Sequence, residues 1–163
     1  MLTVMKRTPS AIERELKQTR PFPSQRQEGA VALMRTADQL RHLLSRHVEP
    51  MGITVQQYNV LRILRGARSE RLPTLEIAKR MIERTSGIMR LLDRLEAKQL
   101  VDRERYVFDR WQVFCGITPA GLGLLRRLDG TVNDLEVQSL GRLSDDQTRQ
   151  LIRLLDLIRE GAP

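Results

Sequence analysis

A mainly α-helical chain carrying one two-stranded β wing is the fold class this sequence predicts, on three observations. Apolar residues recur every three or four positions over most of its 163 residues, the spacing of a buried helix face. At four predicted helix starts a Ser or Thr stands three positions ahead of a Glu or Gln, the capping-box arrangement that opens a helix. One segment, 101–117, abandons that spacing for two runs of β-branched and aromatic residues.

Taken in order, Ser10-Ala-Ile-Glu13 predicts a short helix. Thr19-Arg-Pro-Phe-Pro23 ends it, because proline disfavours helix at its own position and the one before. Ser24-Gln-Arg-Gln27 opens a long helix striped by Val31, Met34, Ala37, Leu40, Leu44 and Val48, closing before Pro50-Met-Gly52. Thr54-Val-Gln-Gln57 opens the next, which runs to about Arg65, and residues 66–73 read as a loop. Thr74 starts a short helix with Ile77, Ala78 and Met81 inward, and Thr85 starts another through about Gln99. Val101–Arg105 and Gln112–Ile117 flank Tyr106–Trp111 as a two-stranded hairpin. Thr118-Pro119 combines an N-cap with proline at the first helical position, and Leu122, Leu125, Leu128, Val132 and Leu135 stripe the helix that follows. Ser144-Asp-Asp-Gln147 opens the last helix, striped by Leu151, Leu154, Leu155 and Ile158.

Two short helices joined by a tight turn and followed by a hairpin make a winged helix-turn-helix. The organisation predicted is a basic tail with a short helix over 1–23, a dimerisation helix over 24–53, a winged core over 54–118 and dimerisation helices over 119–163. The outer stripes must be buried somewhere, and a second copy is the economical partner, two-fold dimers being the commonest oligomer.

Composition narrows the function. The chain carries 28 basic and 20 acidic residues, net +8, and 24 of the 28 are Arg. It is 40% hydrophobic, too apolar for a disordered chain. No apolar run approaches the roughly 18–20 residues that span a bilayer, and Met1–Ser10 lacks the apolar stretch of a secretory signal. A cytoplasmic protein with no membrane contact is expected. Cys115 is the only cysteine, which excludes an intrachain disulfide and an all-Cys zinc site. His42 and His47 lie five apart, off a common helix face, so no metal is expected, and no cofactor. No Ser/His/Asp set, phosphate loop or supported carboxylate pair is present, so no catalytic residue and no enzyme activity are expected.

The positive excess is localised. Residues 1–26 are net +4, 62–111 net +5, and 112–163 net −1. Such concentration favours nucleic acid over a merely solvated surface. On residues 86–98, Ile88, Leu91, Leu92 and Leu95 share one face, while Ser86, Arg90, Asp93, Arg94 and Ala97 lie opposite. Arg90, Arg94 and Lys98 form a column at i, i+4, i+8, whose repulsion costs an isolated helix roughly 0.2–0.5 kcal/mol per pair. A phosphate backbone would relieve it; Asp93 relieves part of it locally, the alternative being a solvated face with ion pairs. Thr85, Ser86 and Gly87 precede the column, and small residues at a helix start allow close approach to phosphate. Arg90 is placed for a guanine edge. Met89, at the border of the face, suits a thymine methyl or the core. In the hairpin, Arg103, Arg105 and Arg110 suit a minor groove, with Asp109 as an orienter of Arg110. Phe114 suits the base of the wing, and Trp111 stays open. The candidate DNA-binding set is Thr74, Thr85, Ser86, Gly87, Arg90, Arg94, Arg103, Asp109 and Arg110.

These pieces resemble the MarR family of winged-helix regulators. The resemblance is carried by Gly52-Ile-Thr-Val-Gln-Gln57, Leu75-Glu-Ile-Ala78, Ser86-Gly-Ile-Met-Arg-Leu-Leu-Asp-Arg-Leu-Glu96, Leu100-Val-Asp-Arg103, Asp109-Arg110 and Ile117-Thr-Pro-Ala-Gly121. It covers about 27–160. It implies a homodimer held by the first and last helices, a reading helix at 86–98 and a wing at 101–117. It further implies a transcription factor acting on double-stranded DNA, most often a repressor released by a small phenolic or aromatic effector. Ser86, Gly87 and Arg90 fall on the family's DNA-reading positions and Arg110 on its wing arginine. The chain departs from the pattern at Trp111, where the family usually has Arg, at Met89, where Thr is usual, and at Gln99, where Gly is frequent. The alternatives are a dimeric winged-helix module that binds protein partners, a reading fed by Trp111, and a sequence-nonspecific architectural DNA binder.

Overall fold

The computed structural model describes residues 8–68, 70–84, 86–105 and 113–161. Its helices are α1 (Ala11–Glu15), α2 (Gln25–Val48), α3 (Val55–Gly66), α4 (Thr74–Arg80), α5 (Ile88–Ala97), α6 (Pro119–Leu140) and α7 (Asp145–Glu160), with β1 (Leu72–Pro73) before α4 and β2 (Val101–Arg105) and β3 (Val113–Ile117) after α5. This is the mainly helical winged helix-turn-helix fold the sequence predicts. A 3-10 turn, Glu49–Met51, follows α2. No helix among the described residues is long and apolar enough to cross a membrane.

The helix starts follow the capping chemistry. Ser10, Thr54 and Ser144 each accept the N–H of the residue three on, and Glu13, Gln57 and Gln147 reach back to the cap N–H. The Ser24 hydroxyl accepts the Gln27 N–H at 3.2 Å. These bonds satisfy donors that a helix start otherwise leaves orphaned. Three helix ends are closed differently, by non-glycine residues in the left-handed region: Lys17, Arg68 and Gln99, at φ 51°, 49° and 57°.

The chain divides into two units, residues 1–42 and 43–163. In the first, Glu13 is buried and accepts the Ser10 N–H at 2.8 Å, and Arg35 pairs with Glu15 at 3.7 Å. The second holds a core of Val48, Ile53, Tyr58, Val60, Leu61, Leu64, Ile77, Leu92, Leu95, Val101, Cys115, Leu125 and neighbours. Arg65 of α3 grips both carboxylate oxygens of Asp129 on α6, each at 2.9 Å.

Two expectations change. The sheet has three strands, not two, in the order β1-β3-β2. Leu72, read as loop, is buried opposite Cys115, and Pro73 lies opposite Phe114. Proline is tolerated there because β1 is an edge strand, where a missing N–H breaks no ladder on its outer side. The helix expected from Thr85 also starts later: α5 opens at Ile88, with Ser86 and Gly87 in the turn before it.

The joint between α5 and α6 is tight. After Ala97 the Gln99 N–H bonds the Glu96 carbonyl at 2.8 Å and the Leu100 N–H the Leu95 carbonyl at 3.0 Å, a Schellman closure. The Leu100 carbonyl then accepts the Thr118 N–H at 3.2 Å. Gly121 sits directly against it: a Cβ there would stand 2.3 Å from the Leu100 carbonyl oxygen and 2.8 Å from Ile117 Cγ1.

Candidate nucleic-acid interface

The spacing of α5 decides its orientation. Leu92 and Leu95 are fully buried, Leu91 nearly so, and Ile88 packs on the same core. The opposite side turns Arg90, Asp93, Arg94 and Ala97 outward. Met89, at the border, is 46% exposed.

The cationic column is not uniform. Arg90 and Arg94 are exposed and have no hydrogen-bond or ion-pair partner among the described residues. Lys98 is different, since its ammonium donates to the Gly52 carbonyl. Asp93 leaves both arginines alone and pairs instead with Arg103 of β2, Nη1 to Oδ1 at 2.8 Å. Arg103 Nε also donates to Glu96 Oε2 at 2.8 Å, and its Nη2 reaches the same oxygen. The Glu96 hydrogen bond, aided by Asp93, holds the Arg103 guanidinium above its ordinary range despite partial burial.

Thr74 is the first residue of α4. Its hydroxyl donates to the Val113 carbonyl at 3.1 Å and lies 3.9 Å from Cys115 Sγ, so it ties α4 to β3. Ser86 is exposed, and Gly87 is the residue from which α5 starts. Thr85, Asp109, Arg110 and Trp111 lie outside the described residues. Cys115 is fully buried, and burial pushes its thiol up. His47 Nδ1 lies 2.9 Å from the Leu43 carbonyl oxygen. No group of three or more metal-ligating side chains occurs among the described residues.

The structure adds residues that the sequence reading passed over. Lys79 and Arg84 are exposed around the turn between α4 and α5; their signal was present in the charge of the middle third. Leu75 and Ile82 are 76% and 82% exposed. They fall outside the inward set Ile77, Ala78 and Met81, which was the available sign. The Ile82 N–H is fixed by Asn59 Oδ1 of α3 at 2.9 Å. Between α5 and the wing, Met89, Asp93, Glu96, Arg103 and Val113 line a cleft of about 420 Å³.

No family model matches the chain. Among solved structures, it is similar to a MarR transcription factor from Planctomyces limnophilus, at 37% identity over 84% of this chain and 99% of that one, TM-score 0.65. It is also similar to Sco3205, a MarR family regulator from Streptomyces coelicolor solved in complex with DNA, at 27% identity over 88% of this chain and 92% of that one, TM-score 0.76. Among curated proteins, the HTH-type transcriptional repressor Rv2887 of Mycobacterium tuberculosis is 27% identical over 124 residues, 76% of this chain and 88% of its own length. The winged core, the outward arginines of α5 and a 37% identical relative matched over nearly its whole length together place this chain in the MarR family of DNA-binding transcriptional regulators, which are not enzymes.

Proposed function

We propose that the chain is a homodimeric repressor that sets one α5 into each of two major grooves on a near-palindromic operator. The observation that carries this reading is the pair Arg90 and Arg94, exposed side by side and uncompensated on the outward face of α5. Arg90 reads a base edge and Arg94 positions on phosphate, with Ser86 and Gly87 at the helix start and Arg110, oriented by Asp109, on the wing. Residues 54–118 form the reading core, and 1–23 a basic tail. Segments 24–53 and 119–163 supply the contact with a second copy. Their apolar side chains support that assignment: α7 buries none of its residues, and Leu154, Leu157 and Ile158 are more than half exposed, as is Met34 on α2. Repression accords with the curated relative, itself a repressor. A small aromatic effector would release the DNA, and the cleft beside α5 is a space such a ligand could enter. The protein acts in the cytoplasm, with its DNA.

Light scattering and gel retardation test this reading together. The expected particle has twice the 18.8 kDa chain mass and retards a duplex from its own upstream region. Footprints should show half-sites about 10–10.5 bp apart, or a multiple of that. A monomer, or no retardation even at low salt, would overturn it.

A further inference from the structure

Asp93 and Glu96 are the acidic side chains of α5, and both are held by one guanidinium from another element. Arg103 stands on β2 opposite Cys115, so its side chain shares the buried face of the sheet. Its side chain is 20% exposed. Three N–H donors of a planar fork reach two carboxylates, which fixes direction as well as distance, a geometry that lysine cannot reproduce.

Spacing gives this pairing a consequence for Arg90. Asp93 lies three residues after Arg90, the i,i+3 separation at which an acid and a base on a helix pair readily. With Arg103 in place Asp93 faces the wing strand instead. Arg90 and Arg94 therefore keep their charge for an outside partner.

We propose that Arg103 is a positioning residue for DNA reading: it draws Asp93 away from Arg90 and, by gripping both Asp93 and Glu96, locks β2 to α5, without touching the duplex. This rests on the function proposed above. It gives the residue a different role from the minor-groove contact that the sequence suggests.

The test compares the full-length protein with Arg103→Ala, Arg103→Lys and the triple variant Arg103→Ala, Asp93→Asn, Glu96→Gln. Each is titrated with a duplex selected by the wild type and with a random duplex of equal length, over a salt series. Arg103→Ala should weaken operator binding roughly tenfold and narrow the operator-to-random ratio, with the salt slope unchanged. Arg103→Lys should fall between Arg103→Ala and wild type. The triple variant should recover part of the lost affinity, because no acid remains to capture Arg90. A salt slope reduced by about one per protomer with the ratio preserved would make Arg103 a phosphate contact and overturn the proposal. A triple variant as weak as Arg103→Ala would also overturn it.

Amide exchange of residues 101–105 in the DNA-free protein judges the lock separately. Faster exchange in Arg103→Ala supports it and equal exchange overturns it. Failure of the wild type to bind any duplex would instead defeat the proposed function and, with it, the reading role of Arg103. Thermal melts establish that each variant is folded; should Arg103→Ala not fold, Arg103→Lys and the triple variant carry the comparison.

Discussion

The Thr118 hydroxyl donates to the Gln99 carbonyl at 2.7 Å while its oxygen accepts the Gly121 N–H at 3.1 Å. One side chain thus opens α6 and anchors the chain leaving α5. Thr118→Ala removes both bonds and should cost about 1–2 kcal/mol of stability, whereas Thr118→Ser should retain most of it. Urea unfolding with an unchanged m-value is the check, and equal midpoints for Ala and Ser would refute the assignment.

Gln99 itself offers the opposite change. Its φ of 57° strains a residue with a Cβ by about 1–2 kcal/mol, and glycine relieves that while adding roughly 0.4–1 kcal/mol of unfolded-state freedom. Gln99→Gly should therefore stabilise the protein by about 0.5–1 kcal/mol. A lower melting temperature would show that the exposed side chain does more than fill the position.

Arg90→Ala should weaken operator binding by about 1–3 kcal/mol and relax the sequence preference. Arg94→Ala should weaken operator and random duplexes alike and reduce the salt slope. Identical behaviour of the two variants in a gel-shift salt series would mean that neither arginine reads bases.

Cys115 should resist alkylation in the folded protein. Burial raises its thiol pKa, outweighing the contact with the Thr74 hydroxyl that lowers it, so less thiolate forms near neutral pH than in an unfolded chain. The sign for stability follows from linkage. The contribution is fully present below the ordinary thiol range and is lost as pH climbs through the raised value. Thiol labelling against pH, followed by mass spectrometry, measures this; labelling as fast as that of the urea-unfolded chain would sink it.

The helices were legible because capping and periodicity are local. Ser10, Thr54 and Ser144 each act within three residues of themselves, as Thr118 does in capping α6, and Leu91, Leu92 and Leu95 face inward as their spacing demands. What escaped depends on chain segments meeting. Leu72 becomes a strand only because β3 returns beside it, and two residues carry no periodicity of their own. Lys98 belongs to the cationic column by spacing, yet it bonds Gly52, 46 positions away. Arg103 gave a sign of charge but not of destination, since Asp93 and Glu96 come within reach only when β2 folds back along α5. The outward Leu75 and Ile82 were missed for a simpler reason: the helical spacing that excludes them from the inward set was legible, but their hydrophobic character argued for the core.

The absence of a side chain at Gly121 lets the backbone of α6 touch the turn that leaves α5 at Leu100. Such a seam has no slack to absorb movement. A tilt of α6 would press directly on the end of α5 through this contact, and on the function proposed above it would shift α5 in its groove. Sensitivity to distant events would then need no loop rearrangement at all, only the rigidity of a joint that even one methyl group would break.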